Sequence, residues 1–309
     1  MNEKVSVLQV DNLSVSFSMY NKGLSKRDLE VIHELSIDVK KGEIVAVVGS
    51  SGSGKSLLAH AIMGILPENS KIKGSIKYYN DELNEKYLRK VRGKDIAFIP
   101  QSVDFLDPLM KVGKQVVGIN GNKERQKEVF KKYNLDDKVA EMYPFQLSGG
   151  MARRVLIATA VMNEAKLIIA DEPTPGLNLE LAMETLNNFR EIADSGCGVL
   201  LITHDVDLAL NVADRIAVFY SGTIVEIAQV EDFIKGKDAL RHPYSKAFID
   251  ALPQNKFKEL PGYQPYAGNL PKGCLFRDRC SLKTDECCME IKMRKIRDGE
   301  VRCINATWG

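Results

Sequence analysis

The sequence predicts an α/β protein with a largely parallel β-sheet. Short apolar segments alternate with longer segments of helical pattern and Gly-rich turns, which is the arrangement of βαβ units. The apolar segment 44–48 predicts a buried strand, and the segment 57–65 after the next turn predicts a helix. Alternating apolar residues in 5–17 and 35–39 predict antiparallel strands that precede this core.

The turn between this strand and this helix fits G-x-x-x-x-G-K-[ST], the pattern of a phosphate-binding loop. It consists of Gly49, Ser50, Ser51, Gly52, Ser53, Gly54, Lys55 and Ser56. The glycines let backbone N–H groups surround an anion, and the helix N-terminus adds partial positive charge. Lys55 is expected to reach the β- and γ-phosphates of a nucleotide, and Ser56 to bind Mg²⁺. A simple Gly/Ser turn is the alternative, which the flanking strand and helix disfavour.

The remaining elements follow in order along the chain. Polar residues predict a loop over 19–30, and the Lys- and Glu-rich region 102–147 predicts an inserted helical subdomain. From His242 the chain becomes rich in Pro and Gly, which predicts a linker or an irregular tail. Further strands are expected at 76–79, 96–99, 167–170, 198–202 and, as a hairpin, at 216–220 and 223–227, with a helix at 152–162.

Composition and charge limit the possible functions. The 309 residues are 44% apolar and 27% charged with a net charge of +2, so no strong field favours nucleic acid or acidic lipid. No apolar run approaches the roughly 20 residues of a membrane span, and residues 1–4 lack the apolar stretch of a signal peptide. We therefore expect a cytoplasmic protein that serves a membrane, if at all, through a partner. Six cysteines in a reducing compartment favour free thiols or a metal site over disulfides.

A second nucleotide motif is predicted at 167–172, where an apolar strand ends in two carboxylates. Asp171 would hold Mg²⁺ through water, and Glu172 would orient the attacking water or accept its proton. A strand that ends in a solvated acidic turn is the alternative.

A third motif, Ser148-Gly149-Gly150, stands directly before a predicted helix. Backbone N–H groups at a helix N-terminus favour an anion, so these residues predict a second phosphate contact. The alternative is an N-cap, in which Ser148 accepts a hydrogen bond from the first turn and the glycines form the turn.

In order and rough spacing, these motifs resemble the nucleotide-binding subunit of an ATP-binding-cassette (ABC) transporter over about residues 5–250. The resemblance implies a P-loop NTPase cassette with a RecA-like parallel core, an antiparallel β subdomain, a helical subdomain at about 102–160 and an irregular Cys-rich C-terminal extension. The expected domains are the cassette, 1–245, and the extension, 246–309. The motifs that carry the resemblance are 49–56, Gln101, 147–151, 167–172 and His204.

The resemblance also implies roles for the matching residues. Gln101 is similar to the glutamine that senses Mg²⁺ and water and couples the site to membrane subunits. Residues 148–150 resemble the signature that binds the γ-phosphate of ATP held by the opposite subunit. His204 resembles the switch histidine at the γ-phosphate, with a histidine at a strand end as the alternative. Phe17 stands where the family places an aromatic on adenine, although it could be a core residue and Tyr20 competes for that role.

Two positions depart from the family pattern. Met151 stands where the signature often ends in Gln, and Asn178 replaces the aspartate that contacts the neighbouring phosphate loop. The second departure affects communication across a dimer. We therefore expect a heterodimer with another ABC subunit.

Two stretches of the tail, 242–262 and 273–303, resemble the C-terminal extension of ATPases from dipeptide, oligopeptide and nickel importers. Members of that group can bind a [4Fe-4S] cluster in this extension, and four thiolates suffice for one. Zinc and free or oxidised thiols are the alternatives, Cys288 could replace Cys287, and Cys197 is expected to be inert. The expected cluster ligands are Cys274, Cys280, Cys287 and Cys303.

The implied function is an ATP-hydrolysing subunit that powers an importer from the cytoplasmic face of the membrane. Its expected partners are a second ATPase subunit, two integral membrane permeases and, indirectly, an extracytoplasmic solute-binding protein, without nucleic acid. The segment 105–110 is expected near the groove for a permease helix, unless it is core. Peptides are the first candidate cargo, followed by nickel or other chelated metals. The rival functions are a soluble ABC ATPase acting on DNA or ribosomes and a redox or metal-sensing regulator.

Overall fold

The computed structural model describes residues 5–20, 25–118, 121–252, 255 and 258–306. Residues 1–4 and 21–24, which bear on the expectations about the N-terminus and about the loop over 19–30, lie outside the described residues. The strands are β1 (Ser6–Tyr20), β2 (Lys26–Lys40), β3 (Ile44–Val48), β4 (Ser70–Tyr78), β5 (Asp81–Glu82), β6 (Ile96–Ile99), β7 (Leu167–Asp171), β8 (Gly198–Thr203), β9 (Arg215–Tyr220), β10 (Thr223–Gln229), β11 (Arg294–Ile296) and β12 (Gly299–Val301). The helices are α1 (Lys55–Met63), α2 (Glu85–Val91), α3 (Val112–Val117), α4 (Lys123–Lys132), α5 (Gly149–Val161), α6 (Leu179–Asp194), α7 (Val206–Leu210), α8 (Val230–Ile234) and α9 (Pro243–Asp250).

The main sheet has the strand order β11-β12-β10-β9-β3-β8-β7-β6. Strands β9, β3, β8, β7 and β6 are parallel, and β10 turns back antiparallel to β9. Every residue of β3, β7 and β8 is buried, because layers of chain cover both faces of the sheet. This burial explains why these strands are continuous apolar runs in the sequence.

The second sheet is antiparallel with the order β2-β1-β4-β5. Its longest pair, β1 with β2, extends to Tyr20↔Lys26 and includes Met19↔Arg27. The prediction of a loop over 19–30 is therefore wrong for the described residues. Both sides of this end of the hairpin are largely exposed, so the strands lack the apolar alternation by which sequence analysis detects a strand.

Helices α3, α4 and α5 and three short 3₁₀ helices lie within the stretch predicted as a helical subdomain. Its apolar side chains, among them Phe130 and Val155, join the same core as one face of the main sheet. The limits of this subdomain and the boundary at 245/246 remain predictions. No helix in the described part of the chain is long and apolar enough to span a bilayer.

The tail is more ordered than the sequence predicts. Strand β12 pairs with β10 through Glu226↔Val301 and Ile227↔Glu300, and β11 pairs with β12, so the tail extends the main sheet. The prediction of an irregular tail is wrong at this hairpin and at α9. Each hairpin strand is only three residues long and is joined by a tight turn with Arg297 at φ 54°, which is too short for a detectable pattern.

A buried ion pair anchors the tail to the sheet. Glu226 of β10 accepts hydrogen bonds from the backbone N–H groups of Arg241 and His242 at 2.8 Å each, and from Arg241 Nη1 at 3.3 Å. Arg241 Nε donates to the Ile296 carbonyl at 2.7 Å. Because both charged side chains are at most 1% exposed, loss of either would leave a buried charge unpaired.

The next residue, His242, caps α9 and is expected to make the fold acid-sensitive. Its Nδ1 accepts a hydrogen bond from the Tyr244 N–H at 3.0 Å, and full burial lowers the pKa of His242 from 6.5 to about 3. Below pH 6.5 the unfolded chain binds a proton that the folded chain does not. Stability contributed by the neutral imidazole is therefore present above pH 6.5 and falls by about 1.4 kcal/mol per pH unit towards pH 3.

We predict that His242→Asn, which retains a capping side chain, flattens the pH dependence of the free energy of unfolding below about pH 6.5. Urea denaturation at a series of pH values measures this slope. The control is His60→Asn, at a partly exposed histidine of α1, which should retain the wild-type slope. Equal slopes for wild type and His242→Asn would contradict the prediction.

Candidate nucleotide site

The register of the parallel strands brings the predicted motifs to one edge of the sheet. Val48 pairs with Thr203, Asp171 with Ile202, and the last residue of β6 with the residue before Asp171. The carboxyl ends of β3, β6, β7 and β8 therefore lie side by side along one edge of the sheet. In open α/β sheets, ligands bind in the crevice outside these ends.

The phosphate loop leaves β3 and enters α1 at Lys55. A Cβ on Gly49 would lie 2.4 Å from the Phe219 carbonyl oxygen, and Gly54 has φ 103°, so both positions require glycine. Lys55 Nζ donates to the carbonyls of Gly49 and Ser50 at 2.9 and 3.0 Å. Burial lowers the pKa of Lys55, and the carboxylates of Glu172 and Asp171 oppose this shift. The loop thus holds a buried cation at its centre with carbonyls as its hydrogen-bond partners.

The Ser56 hydroxyl donates to Asp171 Oδ1 at 3.2 Å. Asp171 is 1% exposed, and burial raises its pKa. A hydroxyl and a carboxylate oxygen are ligands that Mg²⁺ prefers, and they lie directly beside Lys55. The donor set therefore fits the predicted cation of a bound nucleotide.

Glu172 and His204 are paired at the same edge. Glu172 Oε2 lies 2.9 Å from His204 Nδ1, and the Glu172 backbone N–H donates to the Ile202 carbonyl at 2.9 Å. Glu172 is buried in the left-handed region at φ 48°, whereas 59% of the His204 side chain is exposed. A strained backbone that fixes a buried carboxylate is typical of functional positions.

Gln101 follows β6 and is exposed. Its backbone is held by Arg153, a residue that the sequence analysis missed. The buried guanidinium of Arg153 in α5 donates to the carbonyls of Pro100 and Gln101 at 2.9 and 2.6 Å. Burial lowers the pKa of Arg153, and Asp171 and Glu172 oppose that effect. An arginine within the apolar face of α5 was the available signal, because a buried cation needs partners.

The segment 148–150 forms the start of α5. The Ser148 hydroxyl accepts a hydrogen bond from the Met151 N–H at 3.3 Å, so the N-cap alternative describes the structure. Among the described residues, no heavy atom from outside its own helical turn lies within 4 Å of a Cβ placed on Gly149, and Ser148 is exposed. The capped turn therefore presents an open backbone surface, which leaves room for a phosphate contact as well.

The two adenine candidates occupy different environments. Phe17 is half-buried and packs against the core beneath the antiparallel sheet. Tyr20 is 68% exposed, and Lys26 Nζ lies 5.1 Å from its ring centroid. The choice between them stays a prediction.

Asn178, which departs from the family pattern, caps α6 by accepting a hydrogen bond from the Leu181 N–H at 2.9 Å.

The tail reaches the phosphate loop through Gln264, a second residue that the sequence analysis missed. The Ser50 hydroxyl donates to Gln264 Oε1 at 2.9 Å. Ser50 and Ser51 also share a cavity with Tyr244 of α9 and with Arg279 of the tail. A glutamine in a Pro- and Gly-rich segment carries no pattern that would predict this contact.

The four predicted cluster ligands are electrostatic neighbours. Burial, together with smaller effects of Cys303, Cys287 and Cys280, raises the pKa of Cys274 to about 11. Cys288 is exposed, and its thiol donates to the Asp285 carbonyl. All six cysteines lie in the described residues and are free. No group of three or more His, Cys, Asp or Glu side chains in the described ranges is arranged as a ready metal site.

Comparison with known proteins agrees with this geometry. Residues 32–175 match the ABC transporter family, and residues 225–287 match the family of the oligopeptide/dipeptide transporter C-terminal region. A bacterial ABC transporter cassette, solved as a dimer, superposes with a TM-score of 0.64 at 26% identity, covering 72% of this chain and 98% of that chain. The predicted cassette fold is therefore confirmed.

Full-length relatives extend the match to the tail. The dipeptide transport ATP-binding protein DppD of Haemophilus influenzae is 33% identical over 97% of this chain and 95% of its own length. The probable D,D-dipeptide transport ATP-binding protein DdpD of Escherichia coli is 34% identical over 98% and 96%, and the oligopeptide transport ATP-binding protein OppD of Bacillus subtilis is 34% identical over 89% and 81%. The chain belongs to the ABC transporter ATPases, in the family of dipeptide and oligopeptide transport ATP-binding proteins.

Proposed function

We propose that this chain hydrolyses ATP to power peptide import through a membrane ABC transporter. The observation that carries the proposal is the level edge at which the phosphate loop, Asp171, Glu172 and His204 come together. The relatives named above transport dipeptides or oligopeptides, which favours peptides over nickel chelates as cargo. The near-neutral charge of the chain disfavours a role on DNA or ribosomes.

Each site residue then has a distinct task. The backbone N–H groups of 49–56 and Lys55 would bind the phosphates, while Ser56 and Asp171 would hold Mg²⁺, which would neutralise phosphate charge. Glu172 orients the attacking water, and His204 hydrogen-bonds both Glu172 and the γ-phosphate. In this scheme catalysis is mainly positioning and electrostatic stabilisation. Gln101, whose backbone Arg153 fixes, links the site to the membrane subunits.

A second ATPase subunit would complete each nucleotide site. The exposed segment 148–150 would bind the γ-phosphate of ATP held by the partner, and one similar cassette has been solved as a dimer. Asn178 uses its side-chain oxygen to cap α6, so it offers the partner a neutral amide instead of a carboxylate. The departures from the family pattern at Asn178 and Met151 support a heterodimer with another ABC subunit.

The helical subdomain would receive the two permease subunits at the cytoplasmic face of the membrane. Phe105, Leu109 and Met110 are 56%, 87% and 40% exposed, so three large apolar side chains of one short segment are exposed together, as is typical of an interface. These exposures disfavour the alternative that the segment 105–110 is core, apart from the buried Leu106. An extracytoplasmic solute-binding protein would deliver the peptide to the permeases.

The tail would hold a [4Fe-4S] cluster through Cys274, Cys280, Cys287 and Cys303. Backbone N–H groups already point at two of these sulfurs: Leu282 N–H donates to Cys280 Sγ at 3.4 Å and Thr284 N–H to Cys287 Sγ at 3.5 Å. Such hydrogen bonds are typical of cluster thiolates. Because burial raises the pKa values of Cys274, Cys280 and Cys303, a bound metal would be needed to deprotonate these thiols. The four sulfurs would move into coordination on binding.

The first prediction of this proposed function concerns ATP hydrolysis. Glu172→Gln keeps the size and hydrogen bonding of the side chain but removes the charge that orients water, so turnover should fall at least ~10²-fold while ATP affinity is retained. Phosphate release and equilibrium nucleotide binding measure the two effects. Glu180→Gln, at an exposed glutamate in the first turn of α6, is the matched control. Normal turnover in Glu172→Gln would contradict the assignment.

The second prediction concerns the cysteines. Anaerobically purified protein should contain iron and sulfide in equal amounts, and Cys287→Ser should lose both because one thiolate ligand is removed. The control is Cys288→Ser, which changes the adjacent exposed thiol and should retain the cluster. Protein that contains zinc and no iron would refute the cluster, and loss of iron only in Cys288→Ser would reassign the ligand.

The third prediction concerns the partners. The tagged chain, purified from gently solubilised membranes of its own host, should bring two integral membrane proteins and a second ABC subunit, identified by mass spectrometry. Replacing Leu109 with Glu should reduce recovery of the membrane proteins because it buries a charge at the interface. Ile234→Glu, at an exposed isoleucine at the end of α8, is the control. Recovery with ribosomes or nucleic acid alone would overturn the transport function.

A further inference from the structure

Ser50 of the phosphate loop is held from two sides. Its hydroxyl donates to Gln264 Oε1 of the tail at 2.9 Å, across 214 positions of the sequence. Its backbone carbonyl accepts a hydrogen bond from Lys55 Nζ at 3.0 Å. The phosphate-binding lysine therefore holds Ser50 from inside the loop, and a glutamine of the tail holds it from outside.

The inner contact is the one that nucleotide binding would remove. Lys55 Nζ donates to the carbonyls of Gly49 and Ser50, and a phosphate oxygen is a stronger, charged acceptor than either of them. When Lys55 binds a phosphate, as the proposed function requires, the Ser50 carbonyl loses this partner. The hydrogen bond to Gln264 does not involve Lys55, so it can hold Ser50 while phosphate is bound.

The outer side of the loop borders a cavity of about 340 Å³. Ser50 and Ser51 line this cavity together with Gln264 and Tyr244, and both serines are exposed. Close packing normally keeps a segment in place, and here the loop faces open space instead. Side-chain contacts across this space, of which the one with Gln264 is the clearest, therefore restrict the position of Ser50.

The segment that carries Gln264 is anchored to the main sheet. Arg279 donates to the carbonyls of Leu260 and Pro261 at 3.1 and 2.9 Å. It also donates to the hydroxyl of Tyr220, the fully buried last residue of β9, at 3.4 Å. Strand β9 pairs with β3, from which the phosphate loop departs. Gln264 therefore reaches the loop from a base that is tied to the same sheet.

We propose that Gln264 is a positioning residue for the phosphate loop, which acts through Ser50, so that the tail sets the affinity of the chain for nucleotide. The contact keeps the backbone N–H groups of the loop in the arrangement that surrounds a phosphate. Without it the loop can enter the adjoining cavity, and only the fraction of molecules with a competent loop binds nucleotide. The inference rests on the proposed function, because it requires that the loop binds ATP.

The test is ATP binding and hydrolysis by full-length Gln264→Met, whose side chain has a similar length but a weakly accepting thioether in place of the amide. The Kd for MgATP and the KM should each rise by roughly 3–10-fold, the value of one hydrogen bond. At saturating ATP, kcat should change by less than about 2-fold, because the contact acts on binding and not on the reacting atoms.

A double-mutant cycle separates this role from a general effect on folding. Ser50→Ala removes the other partner of the same hydrogen bond and should raise the Kd for MgATP by a similar factor. The double variant Ser50→Ala/Gln264→Met should then bind no more weakly than either single variant. Two unrelated structural effects would instead multiply, which keeps the test decisive even if Gln264→Met lowers the thermal stability.

The matched control is Asn269→Leu, which removes an exposed amide of the same tail that does not line the cavity. This variant should bind MgATP as wild type does. A Kd within about 2-fold of wild type in Gln264→Met, or losses that multiply in the double variant, would overturn the proposal. Wild-type protein that binds no ATP would overturn the proposed function itself, so the two failures are distinguishable.

Discussion

The structure depends on one constraint, which is that the parallel strands end at the same level. Because Val48 pairs with Thr203 and Asp171 pairs with Ile202, residues more than 100 positions apart are delivered to one crevice. A shift of one residue in either pairing would turn the side chains of a buried strand to the opposite face. The complete burial of β3, β7 and β8 opposes such a shift, so the packing of the sheet also fixes the geometry of the site.

The second requirement of the site is charge compensation before nucleotide binds. Lys55 is buried with two backbone carbonyls as hydrogen-bond partners, and Asp171 and Glu172 favour its charged form. An arriving phosphate offers a stronger, charged acceptor and would replace these carbonyls with little rearrangement of the loop. The ordering that phosphate binding requires is therefore already present in the folded chain.

Sequence analysis predicted the elements whose patterns are local and strong. The phosphate loop and the buried strands follow from motifs that combine fixed spacing with apolar flanks, whereas the hydrogen bond between Ser56 and Asp171 is seen only in the structure. The hairpin end at Tyr20 was missed because both of its faces are exposed, and the hairpin of β11 and β12 because each strand is too short. The contact of Gln264 with Ser50 is long-range, and a single sequence contains no local signal for it. Arg153 had a local signal, its place within the apolar face of α5, but its carbonyl partners are about 50 residues away and could not be predicted from it.

The tail connects the segment that carries the cysteines to the phosphate loop. Arg279, next to Cys280, donates to the carbonyls of Leu260 and Pro261 and to the Tyr220 hydroxyl. The same segment continues to Gln264, which holds Ser50 in the phosphate loop.

Within the described part of the tail, the apolar cluster that the tail forms alone contains few residues, so this part has little core of its own. A metal bound by four cysteines would supply that order, since metal binding contributes directly to the folding free energy of small domains. In the proposed function, a metal at the cysteine site would therefore also order the segment whose Gln264 accepts a hydrogen bond from Ser50.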